Sequence, residues 1–347
     1  MLITEIAKKA KVSPATVSRA INQPQIVAPA SLARIRSVME KHNYVPAPLE
    51  RRRGPKTRLS EQRRIGVWFV GARANNPSHN WFQDQLLQVQ SADTRFRVDL
   101  RVLFSSSPDE LPPSLATEKL DGLVIQGMEP SAASLAKLRD LPHVWFMTRR
   151  STGYPGDYVE PNNEENGRIA ADYLAQRGHK ALAVISTDPD YSAVARRVRA
   201  FLDRAGELKL PAHVILGKSN PGVSYLEFTP VHEDTDTLVR TLLGAAPRAS
   251  GLYMPVDHFC GSFFRALREA GKKPGRDFEA ILGNYNPIIY HNLDHHPAAI
   301  DINLTTLVRQ VVDHLIWRIE NRRAPGRIGL TVSPTLRPAE TNGHAPH

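Results

Sequence analysis

Small and polar side chains in the stretch SPATVSRAIN, residues 13–22, have the spacing of one face of a helix. If Val17 and Ile21 point inward, the other side chains point outward together. An outward arginine can donate two hydrogen bonds to guanine O6 and N7, and a small apolar group can contact the thymine methyl. Arg19 and Ala15 supply these groups, and hydroxyl and amide side chains can bind phosphates or base edges. The predicted DNA-contacting residues of this stretch are Ser13, Pro14, Ala15, Thr16, Ser18, Arg19 and Asn22.

This face requires supporting helices, and the apolar pattern predicts three of them. Apolar residues recur at helical spacing over 3–10, 12–21 and 32–39. Ser13 is a good N-cap for the second helix, and Pro14 occupies its first position, where a missing N–H costs nothing. Three short helices within about 45 residues predict a helix-turn-helix head. For each outward residue considered alone, the alternative interpretation is an ordinary polar position on the protein surface.

The distribution of charge indicates what this head binds. Residues 1–64 hold 14 Lys and Arg against 4 Asp and Glu, whereas the rest of the chain holds 31 of each. The whole net charge of +10 therefore lies in the first fifth of the sequence. A local concentration of cations favours phosphate binding, because neutralised phosphates release counterions. A solvated basic tail is the alternative, but the helical pattern argues against it.

Length and composition limit the remaining possibilities. The 347 residues predict two or three packing units, and 41% hydrophobic with 23% charged residues is typical of a globular protein. One cysteine excludes a disulfide framework. Charges at Glu5, Lys8 and Lys9 interrupt any secretory segment, and no apolar stretch approaches the ~20 residues that span a bilayer. We expect a cytoplasmic, nucleoid-associated protein without a membrane partner.

The head resembles a known family at the string VSPATVSRAINQ, followed by Val27 and by a third helix ending in HNYVP. These residues are similar to the DNA-binding head of the lac repressor (LacI/GalR) family, over residues 3–46 without gaps. The resemblance implies that residues 13–22 form the recognition helix and that Tyr44 and Pro46 lead toward a hinge. The turn position that is usually glycine is Lys11.

Beyond the head, short apolar runs alternate with helical stretches. IGVWFVG follows Arg64, and further runs occupy 98–104, 123–126, 144–147, 182–185, 214–216, 252–254 and 280–282. Helical stretches at 165–177, 193–205 and 263–270 each end near a glycine. Alternating strands and helices predict an α/β fold with doubly wound parallel sheets. About eight strands favour two sheet domains over one.

Four strings support the family resemblance in the core: LDGLVIQG, NNEENGRIAADYLAQRGHKALAVIS, RALREAGKKPGRDFEAILG and SPTLRPAET. They resemble the family's effector-binding core, which is similar to type I periplasmic binding proteins. The resemblance implies a head at 1–46, a basic hinge at 47–64, a core at 65–340 and a tail at 341–347. Its two lobes would comprise 65–158 with 289–318, and 159–288 with 319–340, with a small molecule bound between them.

Effector residues follow from the resemblance in part. Arg197, four residues before Phe201, and Asp257 stand where the family contacts its effector, although a surface arginine and a helix N-cap are alternative uses of the two. The acidic residue expected after 280–282 is replaced by Asn284, Tyr285 and Asn286. Amide groups lack the charge of a carboxylate clamp, so we expect weaker sugar binding or another polar ligand. Trp81 or Phe82 is a candidate stacking surface for a sugar ring.

Other chemistry has weaker support. His291, Asp294, His295 and His296 include residue types that bind zinc, but HNLDHHP is typical of a polar loop, and we expect neither metal nor cofactor. Cys260 has no basic neighbour and is expected to pack as a small hydrophobe. No nucleophile elbow, P-loop or dinucleotide fingerprint is present in the sequence, so we expect no enzyme.

The favoured function is a sequence-specific transcriptional regulator that binds a pseudo-palindromic operator in double-stranded DNA as a homodimer. The family resemblance implies that it is a repressor. A small polar effector would control it. Two alternatives stay open: a small-molecule binding protein whose head binds DNA without specificity, and a constitutive repressor without effector.

The hinge generates the first testable prediction. The family usually has a short helix there whose leucine opens the minor groove, but here Arg53 takes the leucine's position beside Arg51 and Arg52. Arginines insert into narrow, A·T-rich minor grooves. We therefore expect little bending and a preference for A·T pairs at the operator centre, measurable by binding-site selection and a bending assay. A strongly kinked complex with G·C at the centre would instead assign the wedge to Leu49.

Overall fold

The computed structural model describes residues 3–22, 24, 27–42, 44, 62–72, 84–88, 97–150, 152–217 and 235–339. The chain forms two compact units, Met1–Ser60 and Glu61–His347. We refer to them as the head and the core. The hinge arginines 51–53 and the candidate stacking residues Trp81 and Phe82 lie outside the described residues.

The head contains the three helices that the sequence predicts. They are α1 (Ile3–Ala10), α2 (Pro14–Asn22) and α3 (Pro29–Lys41). Ile6, Val17 and Ile35, one from each helix, are fully buried against one another's helices in a single apolar cluster. Because each helix buries a single stripe, the opposite face of α2 remains available for contacts outside the head.

The turn between α1 and α2 explains why glycine is usual at position 11. The Val12 N–H donates to the Ala7 carbonyl at 3.0 Å, and the Lys11 N–H approaches the Lys8 carbonyl at 3.4 Å. This pair of bonds is a Schellman motif, which places its C′ residue in the left-handed region. Lys11 accordingly has φ 55°. A residue with a Cβ is strained in this conformation.

The core contains two six-stranded sheets. The first has the order β11-β5-β4-β3-β1-β2 and the second β12-β10-β9-β8-β6-β7. All adjacent strands are parallel except β10 and β12. The strands of the first sheet are β1 (Gln62–Val70), β2 (Arg97–Ser105), β3 (Gly122–Gly127), β4 (His143–Phe146), β5 (Tyr158–Pro161) and β11 (Gly329–Val332). Those of the second are β6 (Leu182–Ser186), β7 (Ala212–Leu216), β8 (Gly251–Met254), β9 (Glu279–Leu282), β10 (Ala298–Asp301) and β12 (Thr335–Arg337).

Helices cover the sheets, as expected for parallel strands that are buried on both faces. They are α4 (Pro113–Thr117), α5 (Ala132–Lys137), α6 (Asn163–Gln176), α7 (Ser192–Glu207), α8 (Thr235–Ala245), α9 (Cys260–Glu269), α10 (Pro287–Tyr290) and α11 (Leu304–Glu320). A further helical turn occupies 84–88. The long α11 packs its buried Leu307, Val311 and Leu315 against the first sheet. In the described part of the chain, no helix has the length and apolar character needed to cross a membrane.

The expected lobe boundaries need correction, because strand pairing assigns three segments differently. Residues 159–161 belong to β5 and pair in the first sheet, not in the second lobe. Residues 298–301 form β10, which pairs with β9 in the second sheet, and 329–332 form β11, which pairs with β5 in the first. The chain therefore crosses between the sheets near 162, 302–303 and 333–334. The first lobe is 62–161 with 304–332, and the second is 163–301 with 335–337.

The strained turn in the head generates the second prediction. Lys11→Gly should stabilise the head by about 0.5–1 kcal/mol, because relief of the left-handed strain exceeds the added chain entropy of glycine. Lys8→Gly, an exposed position inside α1, is the matched control and should destabilise it by about 1 kcal/mol. Native-state hydrogen exchange of the α1 and α2 amides in the full chain measures both changes. Equal effects of the two glycines would contradict the left-handed assignment.

Candidate functional site

The exposed face of α2 is the candidate DNA-binding site. Pro14, Ala15 and Arg19 are exposed, Thr16 and Ser18 are half-buried, and Val17 is fully buried. Arg19 therefore stands on the outward side of the helix with Ala15 one turn before it. Asn22 is the last residue of α2. The predicted contact residues between positions 14 and 19 therefore all lie on α2.

Ser13 has a structural use that the sequence also predicts. Its Oγ accepts the Thr16 N–H at 3.1 Å and lies 2.8 Å from the Thr16 Oγ1. This bond caps the helix, because it satisfies one of the N–H groups that the first turn leaves without a partner. Tyr44 is half-buried and packs against the apolar cluster of the head. Contacts of Ser13 and Tyr44 with DNA remain predictions.

The second candidate site lies where the two lobes of the core meet. Arg149 follows β4 of the first lobe, and its Nη1 donates to Asp188 Oδ1, which follows β6 of the second, at 2.7 Å. The Ser192 N–H donates to the Arg150 carbonyl at 2.8 Å, and the Tyr191 hydroxyl to the Met147 carbonyl at 3.2 Å. The residues that follow strands of the two lobes at their carboxyl ends are therefore bonded to each other, and we call this region the cleft. Ligands of open α/β sheets bind at such strand ends.

The Arg197 side chain is buried at this cleft and makes four hydrogen bonds there. It lies on α7 and is 5% exposed, which excludes the alternative of a surface arginine. Its Nε donates to Asn163 Oδ1 at 2.8 Å, and its Nη1 to the carbonyls of Pro255 and Gly283 at 2.7 and 3.2 Å. Nη1 also approaches Asn284 Oδ1 at 2.9 Å. One guanidinium thus joins the start of α6 to the segments that follow β8 and β9.

Asp257 lies beside this guanidinium and is buried. The Asn284 side chain hydrogen-bonds its carboxyl group, but Oδ2 has no partner among the described residues. Burial raises the pKa of the Asp257 carboxyl, whereas His258, Asn284 and Arg197 oppose that rise. The alternative of a helix cap has no support, because α9 has Phe259 at its N-cap position and no side-chain cap bond.

Tyr285 and Asn286 have other uses in the second lobe. The Tyr285 ring lies 4.1 Å from the Arg337 guanidinium carbon and packs against the apolar core. Asn286 Oδ1 accepts the Ile288 N–H at 3.0 Å and caps α10. The structure therefore brings Arg197, Asp257 and Asn284 together, and joins neither Tyr285 nor Asn286 to them by a described bond.

The sequence analysis missed Arg149 and Asp188. Each lies two or three residues beyond the carboxyl end of a strand, and that position was the available signal. Ser186, the last residue of β6, was also missed, and its buried Oγ has no partner among the described residues.

The histidines at 291–296 and the cysteine serve packing. His296 stacks on Tyr290 with ring centroids 5.0 Å apart, and Asp294 forms an ion pair with Arg268 at 3.0 Å. No group of residues with metal-binding geometry occurs within the described ranges. Cys260 is buried, and this burial raises the pKa of its thiol, which makes it a poor nucleophile.

Comparison with known families agrees with both parts of the chain. The model for bacterial regulatory proteins of the lacI family matches residues 2–47. The model for periplasmic binding proteins and the sugar binding domain of the LacI family matches 67–220, and that for a periplasmic binding protein-like domain matches 171–341. Matches thus extend over the head and nearly all of the core.

Individual relatives have low sequence identity to this chain, but their alignments cover more than half of it. The HTH-type transcriptional repressor PurR of Edwardsiella ictaluri is 23% identical over 80% of this chain and 79% of its own. The ribose operon repressor of Escherichia coli is 26% identical over 60% of this chain and 62% of its own. Among solved structures, the transcriptional regulator CelR–cellobiose complex has a TM-score of 0.61 at 20% identity, covering 99% of this chain and 100% of that one. The lac repressor dimer bound to operator and the anti-inducer ONPF has a TM-score of 0.60 at 16% identity, covering 98% of each chain.

The fold and its two sites define a helix-turn-helix head joined to a core of the periplasmic-binding-protein type. The chain belongs to the lacI family of bacterial regulatory proteins. It is a DNA-binding transcriptional regulator, which agrees with the sequence prediction.

The hydrogen bonds of Arg197 generate the third prediction. Arg197→Met should lower the free energy of unfolding by roughly 3–5 kcal/mol, because it removes the donor to the buried oxygens of Asn163 and Pro255 and to the half-buried oxygen of Asn284. Arg199→Met makes the same change two residues along α7, where the side chain is 80% exposed, and should stay within about 0.5 kcal/mol. Urea denaturation of the full chain, followed by far-ultraviolet circular dichroism, compares the two. Similar stabilities would mean that the guanidinium does not hold this edge together in solution.

Proposed function

We propose that this chain is a ligand-responsive transcriptional repressor that acts as a homodimer. Its paired heads bind a pseudo-palindromic operator, with one α2 in each of two successive major grooves. A small polar, sugar-like effector binds between the lobes and changes operator affinity, which requires that it bind two conformations of the core unequally. The protein works in the cytoplasm, at the nucleoid, and needs no cofactor.

The observation that carries this proposal is the outward face of α2. A small apolar side chain at Ala15 and a guanidinium at Arg19 stand one turn apart on an exposed surface. These groups match the thymine methyl and the guanine acceptors of the major groove. The concentration of the whole net charge in residues 1–64 adds affinity for phosphates.

The effector site is proposed at the cleft edge of the second lobe. Arg197, Asp257 and Asn284 form its polar centre, with Arg149 and Asp188 closing it from the two sides. Relatives support a small polar ligand, since one matched regulator structure is a cellobiose complex and another relative is a ribose operon repressor. The same proposal includes contacts by Tyr285 and Asn286. It also includes contacts by Trp81 and Phe82, which lie outside the described residues.

A constitutive repressor is the second candidate, and a specific observation favours it. The Arg149–Asp188 ion pair and the Ser192–Arg150 backbone bond join the two lobes through the protein's own groups. Such a core can keep one geometry permanently. A ligand that changes operator affinity would exclude this candidate, and a footprint of uniform affinity on all DNA would instead favour a non-specific head.

The DNA-binding proposal makes the fourth prediction. If the head and hinge neutralise six to ten phosphates, operator affinity should fall about 10³- to 10⁵-fold between 50 and 200 mM salt. Arg19→Ala should reduce discrimination between operator and single-base variants by about 1–3 kcal/mol. Fluorescence anisotropy with labelled duplexes measures both.

The control is Arg36→Ala, an exposed arginine on α3 outside the proposed contact face. It should leave discrimination unchanged. A flat salt dependence would contradict the proposal, and equal loss of affinity on all sequences would assign Arg19 to phosphate binding.

A further inference from the structure

The buried Arg197 guanidinium has no acidic partner among the described residues. Its oxygen partners are the side-chain amides of Asn163 and Asn284 and the carbonyls of Pro255 and Gly283, at 2.7–3.2 Å. All four are neutral. A buried charge held by neutral dipoles alone is costly, because its solvation in water is replaced without a counter-charge.

The neighbouring arginines at the meeting of the lobes differ in this respect. Each has a carboxylate within ion-pair distance, so the charge of Arg197 is an exception within one small region. The pairs are Arg149 with Asp188 at 2.7 Å, Arg196 with Glu160 at 2.6 Å, and Arg150 with Glu129.

Asp257 interacts electrostatically with Arg197, but no described contact brings its carboxyl group within ion-pair distance of the guanidinium. Asn284 occupies the place next to the guanidinium where a carboxylate would have balanced it, with its Oδ1 2.9 Å from Nη1. The other terminal nitrogen, Nη2, makes no hydrogen bond to a described residue.

Two buried oxygens at the same edge also lack partners among the described residues. They are Asp257 Oδ2, after β8, and Ser186 Oγ, at the end of β6. The two strands are neighbours in the sheet. Unpartnered buried oxygens are costly unless a ligand or water satisfies them, and hydroxyl groups can do so as donors.

We propose that the cleft takes an anionic polyhydroxylated ligand, a sugar acid, whose carboxylate neutralises Arg197 and whose hydroxyls bond to Asp257 and Ser186. A carboxylate oxygen accepts from Arg197 Nη2 and supplies the charge that the protein leaves out. The inference rests on the proposed function, since it names the ligand class of the same cleft.

Matched pairs of ligands test this directly on the full chain. Isothermal calorimetry compares D-glucuronate with D-glucose and D-galacturonate with D-galactose, so that each pair keeps the same ring and differs chiefly in the carboxylate. We expect at least one acid to bind about tenfold or more tighter than its neutral partner. A hydrogen bond to a charged group contributes about twice the free energy of a neutral one, and that difference corresponds to about a tenfold change in affinity. Neutral sugars that bind as tightly as their acids, or a panel in which no acid binds, would overturn the inference.

Asn284→Asp tests the charge argument. It supplies the missing carboxylate beside Arg197, so acid affinity should fall about tenfold and the preference for the acid should be lost. Asn292→Asp is the matched control, because it adds the same charge at an exposed position of the same lobe that lies outside the proposed site. Equal losses in both variants would indicate general repulsion and would contradict a specific role of Arg197.

Operator binding separates this inference from the proposed function. If a neutral sugar alone binds and shifts operator affinity, the regulator stands and the sugar-acid assignment fails. If an acid binds with the expected preference but leaves operator affinity unchanged, the ligand class stands and the ligand-responsive function fails.

Discussion

The Arg197 guanidinium bonds to three segments of the second lobe that are distant from one another in sequence. It bonds to the start of α6 through Asn163 and to the residues after β8 and β9 through Pro255 and Gly283. Those residues are the ones that face the other lobe. Because their positions depend on one buried cation, the geometry of the cleft and its electrostatic character have the same origin. A change at this charge alters the shape of the site and its ligand preference together.

Much of the fold follows from the sequence where a segment carries its own signal. Long apolar runs such as 65–70 and 182–185 predict buried parallel strands, and the head helices have clear apolar stripes and a serine cap. The short strands β5, β10, β11 and β12 have three or four residues each, and each has one partner that is not its neighbour in the chain. Their assignment depends on pairing, which local pattern does not encode. The lobe boundaries were misplaced for this reason.

The candidate site shows the same division between local and distant information. A carboxylate replaced by Asn284 is visible in the sequence, and the structure places that amide on Arg197. That Asn286 caps a helix, or that Arg149 meets Asp188 of the other lobe, depends on backbone positions set by the whole core. Lys11 combines both kinds of information. The sequence shows that lysine replaces the usual glycine, whereas the φ of 55° at this lysine follows from the geometry of the turn.

The three crossings between the lobes have a consequence for how this protein can be rebuilt. The Asn162 N–H donates to the Val332 carbonyl, and the Asn303 amide donates to the Ser333 carbonyl, so the crossing segments lie side by side. Residues 163–301 therefore leave and rejoin the first lobe at adjacent points, like an inserted domain whose termini are close together. This single continuous segment contains Arg197, Asp257 and Asn284. Ligand preference can thus be exchanged between relatives as one cassette, while the head and the sheet that α11 covers keep their own sequence.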